Sequence, residues 1–117
     1  MAHEELPLFV LWEQILSDLL DRTMEFPKSV RFTFTTRIDN LALDIMENVV
    51  EARYTSGPQK SLILRELDMS LTKMRVLLRL CHKRAYLSHG GYEHVMRNLD
   101  EAGRMVGGWR KSQEGRG

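Results

Sequence analysis

The chain has 117 residues, 28% charged and 43% hydrophobic, with a formal net charge of +1. That length suits one domain whose core needs no staples, and a single cysteine, Cys81, excludes an internal disulfide framework. No apolar run reaches the length of a bilayer span. Leu6 to Trp12, preceded by Glu4 and Glu5, lacks the basic start and long apolar stretch of a secretory signal, so we expect a cytoplasmic protein that does not enter a membrane.

Leu8, Trp12, Ile15, Leu16, Leu19 and Leu20 form a helical stripe, which predicts a first helix over about 6–24 with Trp12 in the core. Phe26-Pro27 breaks the pattern, and Pro27 suits the first turn of a new helix, where its missing N–H costs little. A second helix is expected over about 28–54 on the seam Phe34, Ile38, Leu41, Ile45, Val49 and Ala52. Phe32-Thr33-Phe34-Thr35-Thr36 also reads as a short strand by alternation, but the three-four spacing continues through Ile38 and favours helix. Thr55-Ser56-Gly57-Pro58 stops that helix.

A third helix is expected over about 61–87, with Leu64, Leu67, Leu71, Met74, Leu78, Cys81 and Ala85 on one seam. Cys81 there reads as a small buried residue rather than a nucleophile. Ser88 is a candidate N-cap for a fourth helix over about 90–110, carried by Tyr92, Val95, Leu99, Ala102, Val106 and Trp109. Gly103 and Gly107, one turn apart, suggest a close helix approach, because glycine inside a helix costs about 1 kcal/mol relative to alanine. Residues 111–117 read as a frayed tail. Four amphipathic helices with short breaks predict one all-α domain, an antiparallel up-down-up-down four-helix bundle.

The near-neutral total hides an uneven distribution. Between 60 and 87, Lys60, Arg65, Lys73, Arg75, Arg79, Lys83 and Arg84 face only Glu66 and Asp68. The first helix region carries Glu4, Glu5, Glu13, Asp18, Asp21 and Glu25 against Arg22 alone. Arg75, Arg79 and Lys83 recur every four residues, so they project along one line. Such a stripe can take phosphates or carboxylates, with Arg84, Arg110, Lys111, Lys28 and Arg31 widening it. It can equally pair with Asp and Glu inside the bundle or between subunits. Only Tyr86 lies close to the stripe, so stacking on unpaired bases is not expected. A second apolar line, Leu43, Met46 and Val50 with Met69, Val76 and Leu80, is too much surface for a small monomer to expose and predicts an oligomer interface.

Enzyme signals are weak. The chain has no Glu-x-x-His pair of the kind bundle metal sites use, and no phosphate-cradling Gly-x-x-x-x-Gly-Lys. His82, His89 and His94 lie near the third break but without zinc-motif spacing. We therefore expect no metal, no cofactor and no catalysis.

Phe26-Pro27-Lys28, Leu41-Ala42-Leu43-Asp44-Ile45, Glu51-Ala52, Met74-Arg75-Val76-Leu77-Leu78-Arg79-Leu80 and Gly103-Arg104-Met105-Val106-Gly107-Gly108-Trp109 follow in that order. With them the chain, from about Leu8 to Lys111, resembles the accessory variability determinant (Avd) proteins of diversity-generating retroelements. Those sit within a wider four-helix-bundle family that includes proteins encoded in intervening sequences of bacterial 23S ribosomal RNA genes. The resemblance implies a homopentameric barrel without catalytic activity. It also implies binding to the element's reverse transcriptase and to nucleic acid, template RNA or cDNA, in mutagenic retrohoming. Arg75 and Arg79 match the family's basic pair on the third helix. The alternative is the intervening-sequence branch, an RNA-binding bundle with no polymerase partner. A small bundle enzyme or cofactor carrier is a third reading, disfavoured by the missing ligand motifs.

Overall fold

The computed structural model describes residues 5–115. Glu4 of the acidic first segment and the last two residues of the expected tail lie outside them. Four helices make up the structure: α1 (Glu5–Thr23), α2 (Thr36–Arg53), α3 (Pro58–Lys83) and α4 (His89–Glu114). A 3-10 turn (Lys28–Val30) and a π-helical segment (Arg31–Thr35) lead into α2. There is no strand among the described residues. Each helix packs on the two beside it, α1 on α2 and α4, α3 on α2 and α4. The result is an up-down-up-down four-helix bundle 47 Å long.

The core is the set of three-four seams folded inward. Leu8, Trp12, Ile15 and Leu19 of α1 meet Ile38, Ala42, Ile45, Val49 and Ala52 of α2. Leu64, Leu67, Leu71, Met74, Leu78 and Cys81 of α3 face Val95, Leu99, Ala102, Val106 and Trp109 of α4. Trp12 is fully buried, and its Nε1 donates to the Ala42 carbonyl at 2.9 Å, which fixes α1 against α2 without stranding the indole N–H. Thr23, the one buried polar residue among those described, donates from Oγ1 to Asp39 Oδ1 at 2.7 Å.

Three details depart from the periodicity. First, α3 ends at Lys83 rather than near Leu87, and Ala85 is exposed rather than in the core. Its φ is 63°. The Tyr86 N–H bonds the Cys81 carbonyl (2.9 Å) and the Ala85 N–H bonds His82 (3.1 Å), a Schellman closure in which Ala85 takes the left-handed position. Second, the expected start of the second helix is not α-helical. Thr36 N–H and Oγ1 both reach back to the Arg31 carbonyl, the hydroxyl at 2.5 Å. That five-residue reach widens the turn by one residue. Third, α4 runs to Glu114, past its expected end at about 110, with Gln113 Nε2 donating to the Gly57 carbonyl at 3.3 Å. Ser88 caps α4, its Oγ accepting from the Gly91 N–H at 3.1 Å.

Candidate functional site

The basic residues do not form one stripe. Arg75 is half-buried in the α3–α4 seam: its Nη2 donates to the Leu99 carbonyl (3.3 Å) and lies 3.4 Å from Asp100 Oδ1. Its buried Nε has no partner. The guanidinium passes over Gly103, where an added Cβ would fall 2.7 Å from Nη2. Gly103 is thus small for a side chain, not for a backbone approach, and nothing lies within 4 Å of a Cβ at Gly107. Arg75 is a strut between helices.

Arg110 is also engaged, its Nη1 2.5 Å from Asp68 Oδ2, which ties α4 to α3. Lys111 is exposed near that same end. Arg84 folds back on Tyr86, its Nε donating to the hydroxyl at 2.8 Å and its guanidinium over the ring. Tyr86 is itself packed against Phe26 and Phe34, with ring centroids 6.1 and 5.8 Å away. It closes the end of the bundle and offers no free face for stacking.

Arg79 and Lys83, on the last turns of α3, are exposed and carry no ion pair among the described residues. Lys28 and Arg31 lie at the same end, on the 3-10 turn and the π segment. They line a cavity of about 430 Å³ with Thr23, Phe26, Thr35 and Asp39. Of the eight basic residues expected, Arg79, Lys83, Arg84, Lys28 and Arg31 gather at one end of the bundle. Arg75 is held at mid-length, and Arg110 with Lys111 sits at the other end.

A larger groove of about 640 Å³ opens between the π segment, α2 and α3, lined by Phe32, Arg37, Asn40, Asp44, Lys73 and Val76 among others. Phe32 is 86% exposed. Arg37 and Lys73 on its walls are exposed and without ion pairs among the described residues. The sequence did not single out Phe32, Arg37, Asn40 or Lys73 as site residues, although Lys73 counts in the basic balance of the third helix. The one signal was the stretch from Phe32 to Thr36, where strand alternation competed with the helical spacing.

Thr36 and Asn40 of α2 share the groove's walls with Lys73 and Val76 of α3. Leu43 and Val50 of α2 and Leu62 and Met69 of α3 are exposed, as are Val76 and Leu80 nearer the basic end. Met46 differs from the other residues of the second apolar line: it is half-buried and packs on the core.

His82 stacks on Tyr92 (4.4 Å, 6° between planes), and its Nε2 lies 3.4 Å from His89 Nδ1. His94 turns instead to Asn98. Among the described residues no three His, Cys, Asp or Glu side chains converge in a way that holds a metal. No helix among them is long and apolar enough to cross a membrane. Burial pushes the Cys81 thiol up to about 11.

A family model described as bAvd-like matches residues 9–113, nearly the whole chain. No curated protein matches it.

Proposed function

The chain belongs to the bAvd-like family, and from that premise we propose that it is a noncatalytic accessory protein of a diversity-generating retroelement. It binds template RNA or cDNA together with the element's reverse transcriptase, in the cytoplasm, as a homopentamer. The observation that carries the nucleic-acid part is the end of the bundle where Arg79, Lys83, Lys28 and Arg31 stand exposed without ion pairs among the described residues. Unpaired cations on a rigid scaffold set a local positive field that a near-neutral total charge conceals. Arg75, committed to Leu99 and Asp100, holds α3 beside α4 so that this end keeps its shape.

The test is a salt titration of RNA binding with Arg79→Ala/Lys83→Ala against the wild type. Two lost phosphate contacts flatten the log–log salt dependence by roughly 1.4 for a single strand, and melting stays unchanged because exposed charges contribute little to stability. An unchanged slope with unchanged affinity would overturn the assignment. Capture of the reverse transcriptase encoded beside the gene separates this reading from an RNA-binding bundle with no polymerase partner.

A further inference from the structure

Building on the nucleic-acid reading above, we propose that the groove between the π segment, α2 and α3 takes one unpaired base of a single-stranded nucleic acid. The base stacks on Phe32, and its flanking phosphates lie on Arg37 and Lys73.

The groove holds about 640 Å³, within the range of roughly 300–1,000 Å³ typical of small-ligand clefts. Its rim is an aromatic ring 86% exposed to solvent. The ring stands on the π segment, in the wide turn that ends with Thr36 bonding the Arg31 carbonyl, while Phe34, two residues on, packs inward on Tyr86. π-Helical turns of this kind recur at functional sites. An exposed phenyl ring beside unpaired cations matches the way single strands are held, with stacking on aromatic faces and the backbone tracked by Arg and Lys.

The remaining walls suit a base. Asn40 offers an amide that both donates and accepts, and Asp44 accepts from an exocyclic amino group. Leu41, Val76 and Leu77 supply the apolar floor. The Asp44 carboxylate repels phosphate, which leaves the phosphates to the Arg37 and Lys73 rim.

Charge complementarity points to a polyanion as the occupant: Arg37 and Lys73 are exposed and carry no ion pair among the described residues, and phosphates satisfy them. Duplex is excluded on geometry, because paired bases are stacked inside the helix and cannot reach a ring on the rim of a groove.

The test uses the purified full chain and fluorescein-labelled oligouridylate, with an RNA duplex of the same length as control. Phe32→Leu keeps an apolar side chain and removes the π face. It should weaken single-strand binding at least roughly fivefold and leave duplex binding and oligomer mass unaltered. Phe32→Trp should retain binding, with its indole fluorescence quenched on saturation; Trp12 and Trp109 are buried and contribute a constant background.

Single-strand affinity unchanged in Phe32→Leu overturns the proposal alone, leaving the basic end as the RNA site. A change of oligomer mass in Phe32→Leu also overturns it and makes the ring a contact between copies. Wild-type protein that binds no RNA overturns this proposal together with the functional reading it rests on.

Discussion

At the scale of single residues, Arg75 and Gly103 behave as one unit. A Cβ at 103 meets only the mobile end of the Arg75 side chain, so Gly103→Ala displaces the guanidinium rather than the backbone. In an Arg75→Ala background, where the space is empty, Gly103→Ala should stabilise the fold by about 1 kcal/mol through helix propensity. With Arg75 present the gain should shrink, because the Leu99 hydrogen bond is lost, a cost of about 1 kcal/mol. A double-mutant cycle by urea denaturation measures that difference, and strict additivity would show that the two residues do not interact. Cys81 gives a second expectation. Its thiol is raised from 9.0 to about 11 by burial, so the neutral form favours the folded state. That contribution is fully present below pH 9, and is lost as pH rises through about 11. Between these limits the melting temperature of the wild type should fall more steeply than that of Cys81→Ala.

At the scale of elements, the closure of α3 is the clearest case of a local rule overridden. The seam runs on through Ala85, yet the helix stops at Lys83, and the stop holds an alanine at φ 63°. Left-handed backbone costs an L-residue roughly 1–2 kcal/mol. It persists because Tyr86 is drawn onto Phe26 and Phe34 and Leu87 is buried. Ala85→Gly should therefore raise stability by about 1 kcal/mol after the entropy of the freer unfolded chain is counted. Thermal melting checks this, and a lower melting temperature would contradict the reading of the cap. The same aromatic packing holds the π segment against the end of α3. These two irregular stretches are thus pinned by one cluster, beside the basic end.

At the scale of the whole molecule, the α2–α3 face changes character along its length. Near the π segment it is a groove rimmed by cations. Lower down, Leu43, Val50, Leu62 and Met69 stand exposed among Asp44, Glu47, Glu51, Arg65 and Glu66, an apolar stripe with a mixed rim. Soluble monomers rarely leave such a stripe uncovered, and this half of the face suits contact between copies. Light scattering at micromolar protein should give a multiple of the 13.7 kDa chain. Met69→Glu should reduce that mass while retaining the helical circular dichroism. A wild-type species at the mass of one chain would return the stripe to solvent.

The bundle itself was legible in the sequence. Three-four spacing, the Pro27 and Gly57-Pro58 breaks and the Ser88 cap are local signals, and each helix needs only one buried face to find its neighbours. The core seams of α1, α3 and α4 follow the periodicity almost residue for residue. The site was legible only as composition: basic residues concentrated in the third helix and beside Pro27. Which of them are free was decided by distant partners. Arg75 meets Leu99 and Asp100 on α4, and Arg110 meets Asp68 on α3; no spacing within one helix encodes a neighbour contributed by another. Phe32 stands exposed on the π segment that the bond from Thr36 to Arg31 closes, where the helix is not regular. Side-chain periodicity records which face a regular helix buries, and it carries no information at the turn where the helix ceases to be regular.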